Sequence, residues 1–310
     1  MIITMTLNPA IDKTVELDQL KVGELNRIAK VRSDAGGKGI NVSKTIHVLG
    51  GTTTACGFLG KENCRLFEKC FQEYSIFDSF SYMDGETRTN LKIMELDGKL
   101  TEINEPGFTV NQQQQKNFLA LAEKYMGPGS LFVLSGSLPR GIEKDFYRVM
   151  TEKILAKGGE VFMDADGDSF AQALEAAPTM IKPNIVELMQ YFGLDHEPEE
   201  AEMIELGKKL LAKGPEMVCI SRGGDGALLL TKNNKVYKAE PLKVEVHSTV
   251  GAGDAMVASL AYARAQGMDA LASFRLALAC SAGAVATHGT QPPAKELIDT
   301  LMKQTCIKEI

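Results

Sequence analysis

The stretch Leu131-Phe-Val-Leu-Ser-Gly-Ser-Leu-Pro139 is an apolar run that ends in serine, glycine and proline. A short apolar run bounded by such turn residues predicts a strand that is buried on both faces. The pattern then predicts a helix near 143–157 and a second buried strand over Glu160–Asp164. Strand, helix and strand in this order predict two parallel strands joined by a helix.

The same alternation extends in both directions along the chain. Toward the N-terminus it predicts strands over 1–7 and Thr53–Phe58, and helices over Ile40–Leu49 and Leu66–Tyr74. Toward the C-terminus it predicts strands over Met180–Lys182, Met217–Ser221 and Ala227–Thr231, and helices near 201–213, 254–266 and 270–286. The fold class is therefore α/β, with a mostly parallel central sheet covered by helices on both faces.

Two charged segments do not fit this sheet. Residues 13–34 contain short strand-like pieces, and residues 86–105 alternate polar and apolar side chains around Asp97-Gly98. An Asp-Gly pair between alternating strands is typical of a two-residue hairpin. We expect a small β-sheet over one edge of the main sheet, formed by about 12–34 and 86–105, within a single domain of 1–310.

The composition excludes several classes of function. The 310 residues carry a net charge of −6 with a pI near 5.4, whereas nucleic-acid binding requires clustered basic side chains. The six cysteines form no Cys-x-x-Cys pair, which favours reduced thiols. The first residues lack a signal peptide, and no apolar run reaches about 18 residues. We expect a cytoplasmic protein that binds neither nucleic acid nor a membrane.

Common catalytic motifs are absent from the sequence. A Gly-x-x-x-x-Gly-Lys-Ser/Thr loop is missing because Lys38 is followed by Gly39. No Gly-x-Gly-x-x-Gly follows a predicted strand, no Gly-x-Ser-x-Gly occurs, and the four histidines lack metal-binding spacing. The P-loop, dinucleotide-binding and serine-hydrolase classes are therefore disfavoured.

The segment His247-Ser-Thr-Val-Gly-Ala-Gly-Asp-Ala-Met256 introduces a predicted helix with two glycines and an aspartate. Free backbone amides at a helix start can bind an anion and stabilise charge on a phosphoryl group. Asp254 beside them could accept a proton from an attacking hydroxyl. Asp is also a favoured cap residue, so the local sequence leaves a helix cap and a catalytic base equally open.

A second cluster is Gly36-Gly-Lys-Gly-Ile-Asn41, which opens another predicted helix. Its three glycines allow a ligand to approach the backbone closely. Lys38 and Asn41 add a cation and an amide three residues apart, on one face of the helix start. A flexible turn with a solvated lysine is the alternative, although a plain turn rarely needs three glycines.

Further polar groups follow predicted strands. Asp12 could accept hydrogen bonds from sugar hydroxyls or cap a turn. Arg88, in Thr87-Arg-Thr-Asn90, could clamp a phosphate or lie exposed on a strand. Ser135 and Ser137 would face the mouth of the sheet. Ligand sites of open α/β sheets lie at this edge, so we expect these groups to lie close together.

Two more segments are candidates for binding a nucleotide. Asn184 and Glu187 stand at positions i and i+3 of a helix start after Lys182, and suit water-mediated Mg²⁺ binding or simple capping. Ser221-Arg-Gly-Gly-Asp-Gly226 is a tight glycine turn between two strands. It is either a hairpin loop or a wall for nucleotide phosphates.

Four motifs in order resemble the ribokinase-like (PfkB) carbohydrate kinases, over roughly residues 1–293. They are Gly36-Gly-Lys-Gly-Ile-Asn41, Ser135-Gly-Ser-Leu-Pro139, Lys182-Pro-Asn-Ile-Val-Glu187 and Ser248-Thr-Val-Gly-Ala-Gly-Asp-Ala-Met256. Within that family the segments 6–27 and 85–107 are most similar to bacterial 1-phosphofructokinases. Tagatose-6-phosphate kinases are close relatives that share part of these segments.

The resemblance implies a three-layer α/β/α fold with a β-sheet lid, often paired into a homodimer through the lids. It implies transfer of the ATP γ-phosphoryl group to a ketohexose monophosphate, most readily D-fructose 1-phosphate. Asp254 would be the base, and the amides of Gly251, Ala252 and Gly253 the anion hole. The residues implied for the sugar phosphate are Asp12, Arg27, Gly37, Lys38, Asn41, Arg88, Asn90 and Ser137.

The resemblance also assigns residues to ATP and ions. Glu187 would bind Mg²⁺ through water, and a monovalent cation such as K⁺ could lie near Val250 and Ala284–Gln291. The residues implied for ATP are Lys182, Asn184, Ser221, Arg222, Gly223, Gly224, Asp225, Gly226, Thr249, Gly253 and Ser281.

Two segments depart from the family pattern. Met163-Asp-Ala-Asp-Gly-Asp168 adds carboxylates near an edge expected to bind anions, and Arg222 stands where relatives often have leucine. Neither departure touches the base or the anion hole. Two alternatives stay open: a tagatose-6-phosphate or fructose-6-phosphate kinase, and an inactive sensor of sugar phosphates or nucleotides.

Overall fold

The computed structural model describes residues 1–165, 167–287 and 289–310. The strands in chain order are β1 (Ile2–Thr6), β2 (Ala10–Leu17), β3 (Lys30–Gly36), β4 (Thr53–Gly60), β5 (Ile76–Met83), β6 (Thr89–Glu95), β7 (Leu100–Asn104), β8 (Leu131–Ser135), β9 (Glu160–Asp164), β10 (Met180–Ile181), β11 (Met217–Ser221), β12 (Ala227–Thr231), β13 (Val236–Ala239) and β14 (Ile307–Glu309). The helices are α1 (Lys38–Val48), α2 (Arg65–Glu73), α3 (Gln112–Ala122), α4 (Phe146–Ala156), α5 (Gly167–Leu174), α6 (Ile185–Phe192), α7 (Glu200–Leu211), α8 (Ala252–Ala265), α9 (Ala270–Val285) and α10 (Lys295–Gln304).

Ten of these strands form the central sheet, in the order β14-β13-β12-β11-β10-β9-β8-β1-β4-β5. Neighbours from β5 to β11 pair in parallel, and β11 to β14 pair antiparallel. The predicted mostly parallel sheet is confirmed, with an antiparallel edge added. Within the described ranges, every helix is too short or too polar to cross a bilayer.

Helices cover both faces of this sheet. Alternate side chains of each strand point to opposite faces, and the apolar side chains on each face pack against helices. In β8, Phe132 and Leu134 belong to the cluster that includes apolar residues of α3 to α7. Leu131 and Val133 of the same strand belong to the cluster that includes residues of α1, α8 and α9. The predicted three-layer arrangement is therefore confirmed.

A second, four-stranded sheet has the order β3-β2-β6-β7, and we call it the lid. Its strands come from the two segments that did not fit the main pattern. β2 pairs antiparallel with β3 and parallel with β6, and β6 and β7 form the hairpin whose turn contains Gly98 at φ 87°. A small cluster of Val15, Leu17 and Ile93 is buried beneath it.

The order of strands places an opening at the centre of the sheet. β1 lies between β4 and β8, and after β1 the chain leaves the sheet for β2 of the lid. The connections that lead to β4 and to β8 therefore run to opposite sides of β1. In open α/β sheets, a ligand-binding crevice forms outside the carboxyl ends of the strands where the connections diverge in this way.

Candidate active site

A cavity of about 630 Å³ lies between the lid and the carboxyl ends of the central strands. Every motif discussed above contributes to it. The core supplies Thr6, Asn8, Gly37, Lys38, Asn41, Ser135, Gly136, Ser137, Asp164, Lys182, Asn184, Glu187, Ser221, Val250, Gly251, Gly253, Asp254 and Thr290. The lid side supplies Asp12, Arg88, Asn90, Lys92, Glu102 and Asn104.

The start of α8 presents both the acid and the amides to this cavity. Gly251 is the N-cap residue in the left-handed conformation, at φ 88°, and no side chain caps the helix there. Asp254 lies three residues further on, so the simple helix-cap interpretation is wrong. An α-helix leaves its first N–H groups without intrahelical partners, and glycines at 251 and 253 keep this end uncrowded.

Asp254 is a buried carboxylate, 7% exposed, that accepts a hydrogen bond of 2.9 Å from Asn41 Nδ2 at Oδ2. Burial raises its pKa to about 6, since the ionised form loses hydration. Lys38 and the Asn41 hydrogen bond lower the pKa, and nearby Asp164 raises it. The group is therefore ionised at neutral pH and still basic enough to take a proton there.

Two lysines and an aspartate form an ion cluster beside Asp254. Asp164, the last residue of β9, is buried, and its Oδ1 lies 3.1 Å from Lys182 Nζ. Its Oδ2 lies 3.5 Å from Lys38 Nζ. Burial raises the pKa of Asp164, but the charges of Lys182 and Lys38 outweigh it and hold the pKa below its ordinary value. The cluster keeps a net positive charge, which favours an anionic ligand.

The glycines at the start of α1 are required because neighbouring side chains lie too close to leave room for a Cβ atom. A Cβ on Gly37, whose φ is 123°, would lie 2.5 Å from Thr6 Cγ2, and one on Gly39 would lie 2.5 Å from Thr6 Oγ1. A Cβ on Gly36 would lie 2.6 Å from Asp12 Oδ2. The segment therefore presses against the end of β1 and places Lys38 and Asn41 at the cavity.

The lid side of the cavity is a connected polar network. Asp12 is buried; its Oδ1 accepts from Asn90 Nδ2 at 3.2 Å, and its Oδ2 lies 3.4 Å from Lys92 Nζ. Arg88 Nη1 donates to Asn90 Oδ1 at 3.0 Å and to the Glu105 carbonyl at 2.9 Å. Burial lowers the pKa of Arg88, although not enough to discharge a guanidinium. These groups suit a sugar hydroxyl and a phosphate.

Asn184 and Glu187 form a reciprocal cap at the start of α6. Asn184 Oδ1 accepts from the Glu187 amide, and Glu187 Oε2 accepts from the Asn184 amide, both at 2.8 Å. The capping interpretation thus describes the geometry, and both residues also line the cavity. Burial raises the pKa of Glu187 against the opposing charge of Lys182. Among the described residues, no group of three or more His, Cys, Asp or Glu could hold a metal alone.

Several predicted residues do not line the cavity. Arg27 is exposed in the loop between β2 and β3, and Thr249 is exposed before α8. Ser281 lies in α9 and does not line the cavity. Ser221 lines the cavity, but the 3₁₀ turn Gly223–Asp225 after it is exposed and forms the predicted hairpin loop between β11 and β12. Gly226 ends this turn and lies outside the lining.

The two departures from the family pattern have structural explanations. Arg222 Nη1 pairs with Glu200 at 3.2 Å, at the start of α7, and does not line the cavity. Asp164 stands where the family pattern also has an aspartate and is neutralised within the ion cluster, and the added, exposed Asp168 pairs with Lys144. Position 166 lies outside the described residues.

The expected monovalent-cation segment borders the same cavity. Val250 and Thr290 line it, and the Thr290 hydroxyl is buried without a hydrogen-bond partner. Thr287 Oγ1 lies within hydrogen-bond distance of the carbonyls of Ala284 (2.8 Å) and Gln291 (2.9 Å), which share its one hydroxyl proton. Position 288 lies outside the described residues.

The sequence analysis did not assign several cavity residues to the site. Lys92 was given no role, and Asp164 appeared only within a segment that departs from the family pattern. Alternation along β6 is the signal that could have found Lys92, because residues 88, 90 and 92 share a face of a strand. The other unassigned lining residues are Thr6, Asn8, Gly136, Glu102 and Asn104.

Comparisons with known proteins identify the family of the chain. The model of the family described as "pfkB family carbohydrate kinase" matches residues 5–297. The 1-phosphofructokinase of Vibrio cholerae is 35% identical and covers 98% of this chain and 95% of its own. That of Haemophilus influenzae is 34% identical and covers 100% and 98%.

Solved structures share the fold across nearly the whole chain. Phosphofructokinase-2 from Escherichia coli, in complex with potassium, superposes with a TM-score of 0.91 at 24% identity and covers 98% of both chains. A ribokinase from Thermotoga maritima has a TM-score of 0.79 at 19% identity, covering 98% of this chain and 99% of its own.

Proposed function

Because the chain belongs to the pfkB family of carbohydrate kinases, we propose that it phosphorylates D-fructose 1-phosphate with ATP and forms D-fructose 1,6-bisphosphate. Relatives called 1-phosphofructokinase match nearly its whole length. The observation that carries the proposal is the buried Asp254 at the start of α8, which faces a cavity whose opposite wall holds Arg88.

In the proposed reaction Asp254 takes the proton of the sugar hydroxyl. The hydroxyl oxygen bonds to the γ-phosphorus as the bond from that phosphorus to the departing ADP oxygen breaks. The amides of Gly251, Ala252 and Gly253 stabilise the charge of the transferring group, and Lys38 and Lys182 add positive charge beside it. Because α8 holds these amides rigidly, little reorganisation is needed during the reaction.

The lid and the start of α1 grip the sugar phosphate in this proposal. Arg88 binds the existing phosphate together with Ser137, because the positive charge of a guanidinium attracts phosphate oxygens. Its donors to the carbonyls of Asn8 and Glu105 fix its direction. Asp12 and Asn41 orient the sugar hydroxyls.

The nucleotide end of the cavity has groups that fit ATP and Mg²⁺. Lys182, Asn184 and Ser221 line it, and Glu187 would hold Mg²⁺ through water. One Glu187 oxygen serves the helix cap, which leaves the other for this task. The metal would neutralise phosphate charge. The unpartnered, buried Thr290 hydroxyl fits a monovalent cation such as K⁺ near Val250.

We also propose that two copies associate through their lids, in the cytoplasm. The lid exposes Val31, Leu100 and Ile103, which are 55%, 43% and 56% exposed. Apolar side chains on a thin sheet are typical of an interface. Light scattering should give a dimer for the unchanged chain and a monomer for Val31→Asp, and a monomeric unchanged chain would reject the association.

A comparison of kcat/KM on three substrates tests the proposed function. Fructose 1-phosphate should exceed fructose 6-phosphate and tagatose 6-phosphate by at least tenfold, in the presence of ATP and Mg²⁺. Preference for tagatose 6-phosphate would support the second member of the family, the tagatose-6-phosphate kinases. Tight binding without turnover of any of the three would support a sensor.

A further inference from the structure

The side chain of Lys44 is a buried cation that the proposed mechanism does not use. It is 2% exposed and lies on α1, three residues after Asn41. Its Nζ donates to the Ala35 carbonyl at 2.6 Å and to Asn41 Oδ1 at 3.3 Å. Burying an ammonium is costly unless its donors are satisfied, and both of these acceptors are neutral oxygens.

The hydrogen bond from Lys44 fixes the direction of the Asn41 amide. An ammonium only donates, so it must face the amide oxygen. The amide nitrogen then points the other way and donates to Asp254 Oδ2 at 2.9 Å. A flipped amide would place its NH₂ group against the ammonium and its oxygen against the carboxylate, and both contacts are repulsive.

We propose that Lys44 is a positioning residue for the reaction, and that it acts through Asn41 to keep one hydrogen bond on Asp254 and leave the proton to the other carboxylate oxygen. The inference rests on the proposed function, since it assigns Lys44 a part in preparing the proposed base. Lys44 touches neither the substrate cavity nor Asp254 itself.

Several charged groups around Asp254 also influence its pKa. Lys38 faces it from α1, Asp164 from the end of β9 and Lys182 from the residue after β10. Burial raises the pKa of the Cys70 thiol, a neighbour of Lys44 on α2, so this thiol adds no charge at neutral pH. Of these groups, the Asn41 donor is the one that Lys44 controls.

The direction of the expected change follows from which form of Asp254 the donor stabilises. Asn41 N–H bonds to the ionised carboxylate and lowers its pKa. When Lys44 is absent, only the carboxylate of Asp254 still disfavours the flipped amide. The donor is then lost for part of the time, and the pKa of Asp254 rises. The acid limb of the kcat profile, where the base becomes protonated, then moves to higher pH.

The test compares the pH dependence of kcat, at saturating substrates, for the unchanged chain, Lys44→Met and Ser43→Ala. Ser43 is the matched control, because it is buried on the same helix and its hydroxyl lies 2.7 Å from Thr4 Oγ1. Lys44→Met should move the acid limb up by about 0.5 units or more, as expected for a lost hydrogen bond. Ser43→Ala should reduce Tm and leave the limb in place.

A double variant separates positioning from a purely structural role. Asn41→Ala already removes the donor, so adding Lys44→Met should move the acid limb no further. A Lys44→Met limb that coincides with those of the unchanged chain and Ser43→Ala would overturn the inference. If Lys44→Met does not fold, Lys44→Ala and Lys44→Gln provide the comparison. The acid limb should move further in Lys44→Ala, because alanine keeps no hydrogen-bond donor whereas glutamine keeps one. Acid limbs at the same pH in these two variants would overturn the inference.

The proposed function can fail separately from this inference. Absence of turnover by the unchanged chain on every sugar phosphate would contradict the proposed function alone. The pKa of Asp254 is then followed through its carboxyl carbon by NMR in the unchanged chain and Lys44→Met. A higher value in Lys44→Met supports the positioning role, and equal values reject it.

Discussion

The central sheet and the lid bury their strands very differently. Every residue of β1, β4, β8 and β12 is buried, whereas β2 alternates buried and partly exposed positions and β7 is mostly exposed. The lid has one small apolar cluster, and the central sheet supports several large ones. Parts of a protein with few buried apolar contacts open at lower free energy, so the lid is the part more able to move.

The two regions also divide the chemistry of the proposed site. The proton acceptor, the helix amides and the ion cluster belong to the core, while Arg88, Asn90 and Lys92 belong to the lid side. We therefore expect core substitutions to reduce kcat and lid substitutions to raise KM. The first three predictions below would contradict this division if a core substitution changed mainly KM or a lid substitution changed mainly kcat.

The largest effect is expected for Asp254→Asn. An amide cannot accept the hydroxyl proton, so kcat should fall by about 10³-fold or more, whereas the sugar phosphate should bind nearly as before. Steady-state kinetics and calorimetric binding measure the two quantities. Asp299→Asn, an exposed carboxylate on α10, is the control with the same change of charge. A less than tenfold loss would exclude Asp254 as the base.

The next effect is expected for Arg88→Met in the lid. Removing a guanidinium that binds phosphate should raise KM for the sugar phosphate by about 30- to 100-fold and change kcat much less. Arg65→Met, at the exposed start of α2, is the matched control. A fall in kcat without a change in KM would contradict the division between lid and core.

A smaller effect is expected for Gly253→Ala in the core. Its Cβ would lie 3.4 Å from Lys182 Nζ, an ordinary contact, so the fold should tolerate it. The methyl group would crowd the anion site, and we expect kcat to fall by about tenfold while Tm stays the same or rises slightly. Gly127→Ala, at the opposite end of the sheet, should leave both unchanged. A loss of Tm would show that the glycine is structural.

The smallest effect is a change of stability with pH. The pKa of Asp254 is about 6 in the fold and its ordinary value is 3.8, so between these values the native state binds more protons than the unfolded state. Its contribution to stability is therefore lost as pH rises through this window. Asp254→Asn should require about 3 kcal/mol more free energy to unfold at pH 7.5, and this gain should vanish near pH 3, below the ordinary pKa. A difference in stability between Asp254→Asn and the unchanged chain that is the same at both pH values would contradict the raised pKa.

The sequence predicted the buried strands well because local patterns determine them. The strands over Leu131–Ser135, Glu160–Asp164 and Ala227–Thr231 have the predicted bounds. In an α/β protein, a short continuous apolar run bounded by turn residues is typical of a buried strand. The prediction that Asp254, Lys38 and Arg88 lie near one another used the rule that ligands bind at the carboxyl ends of strands. In the structure Lys38 does follow a strand, whereas Arg88 directly precedes β6.

Other elements lacked a local signal. β5 mixes polar and apolar residues without alternation, α3 begins with four glutamines, and α10 follows a proline-containing turn. The sequence predicted none of these three. The role of Asp164 was hidden for another reason, since its two lysine partners come from distant segments and only the folded sheet brings them together. The exposed positions of Arg27 and Thr249 depend likewise on tertiary structure.

The parallel pairing of β2 with β6 has a consequence for how the protein is made. β4, α2 and β5 separate these strands in the chain, so the lid cannot form as a local hairpin and must wait for part of the core. All four lid strands nevertheless precede residue 105, whereas Asp254 comes much later. Because chains fold from the N-terminus during synthesis, the sugar-binding wall can assemble on the ribosome before the residue that reacts has been translated.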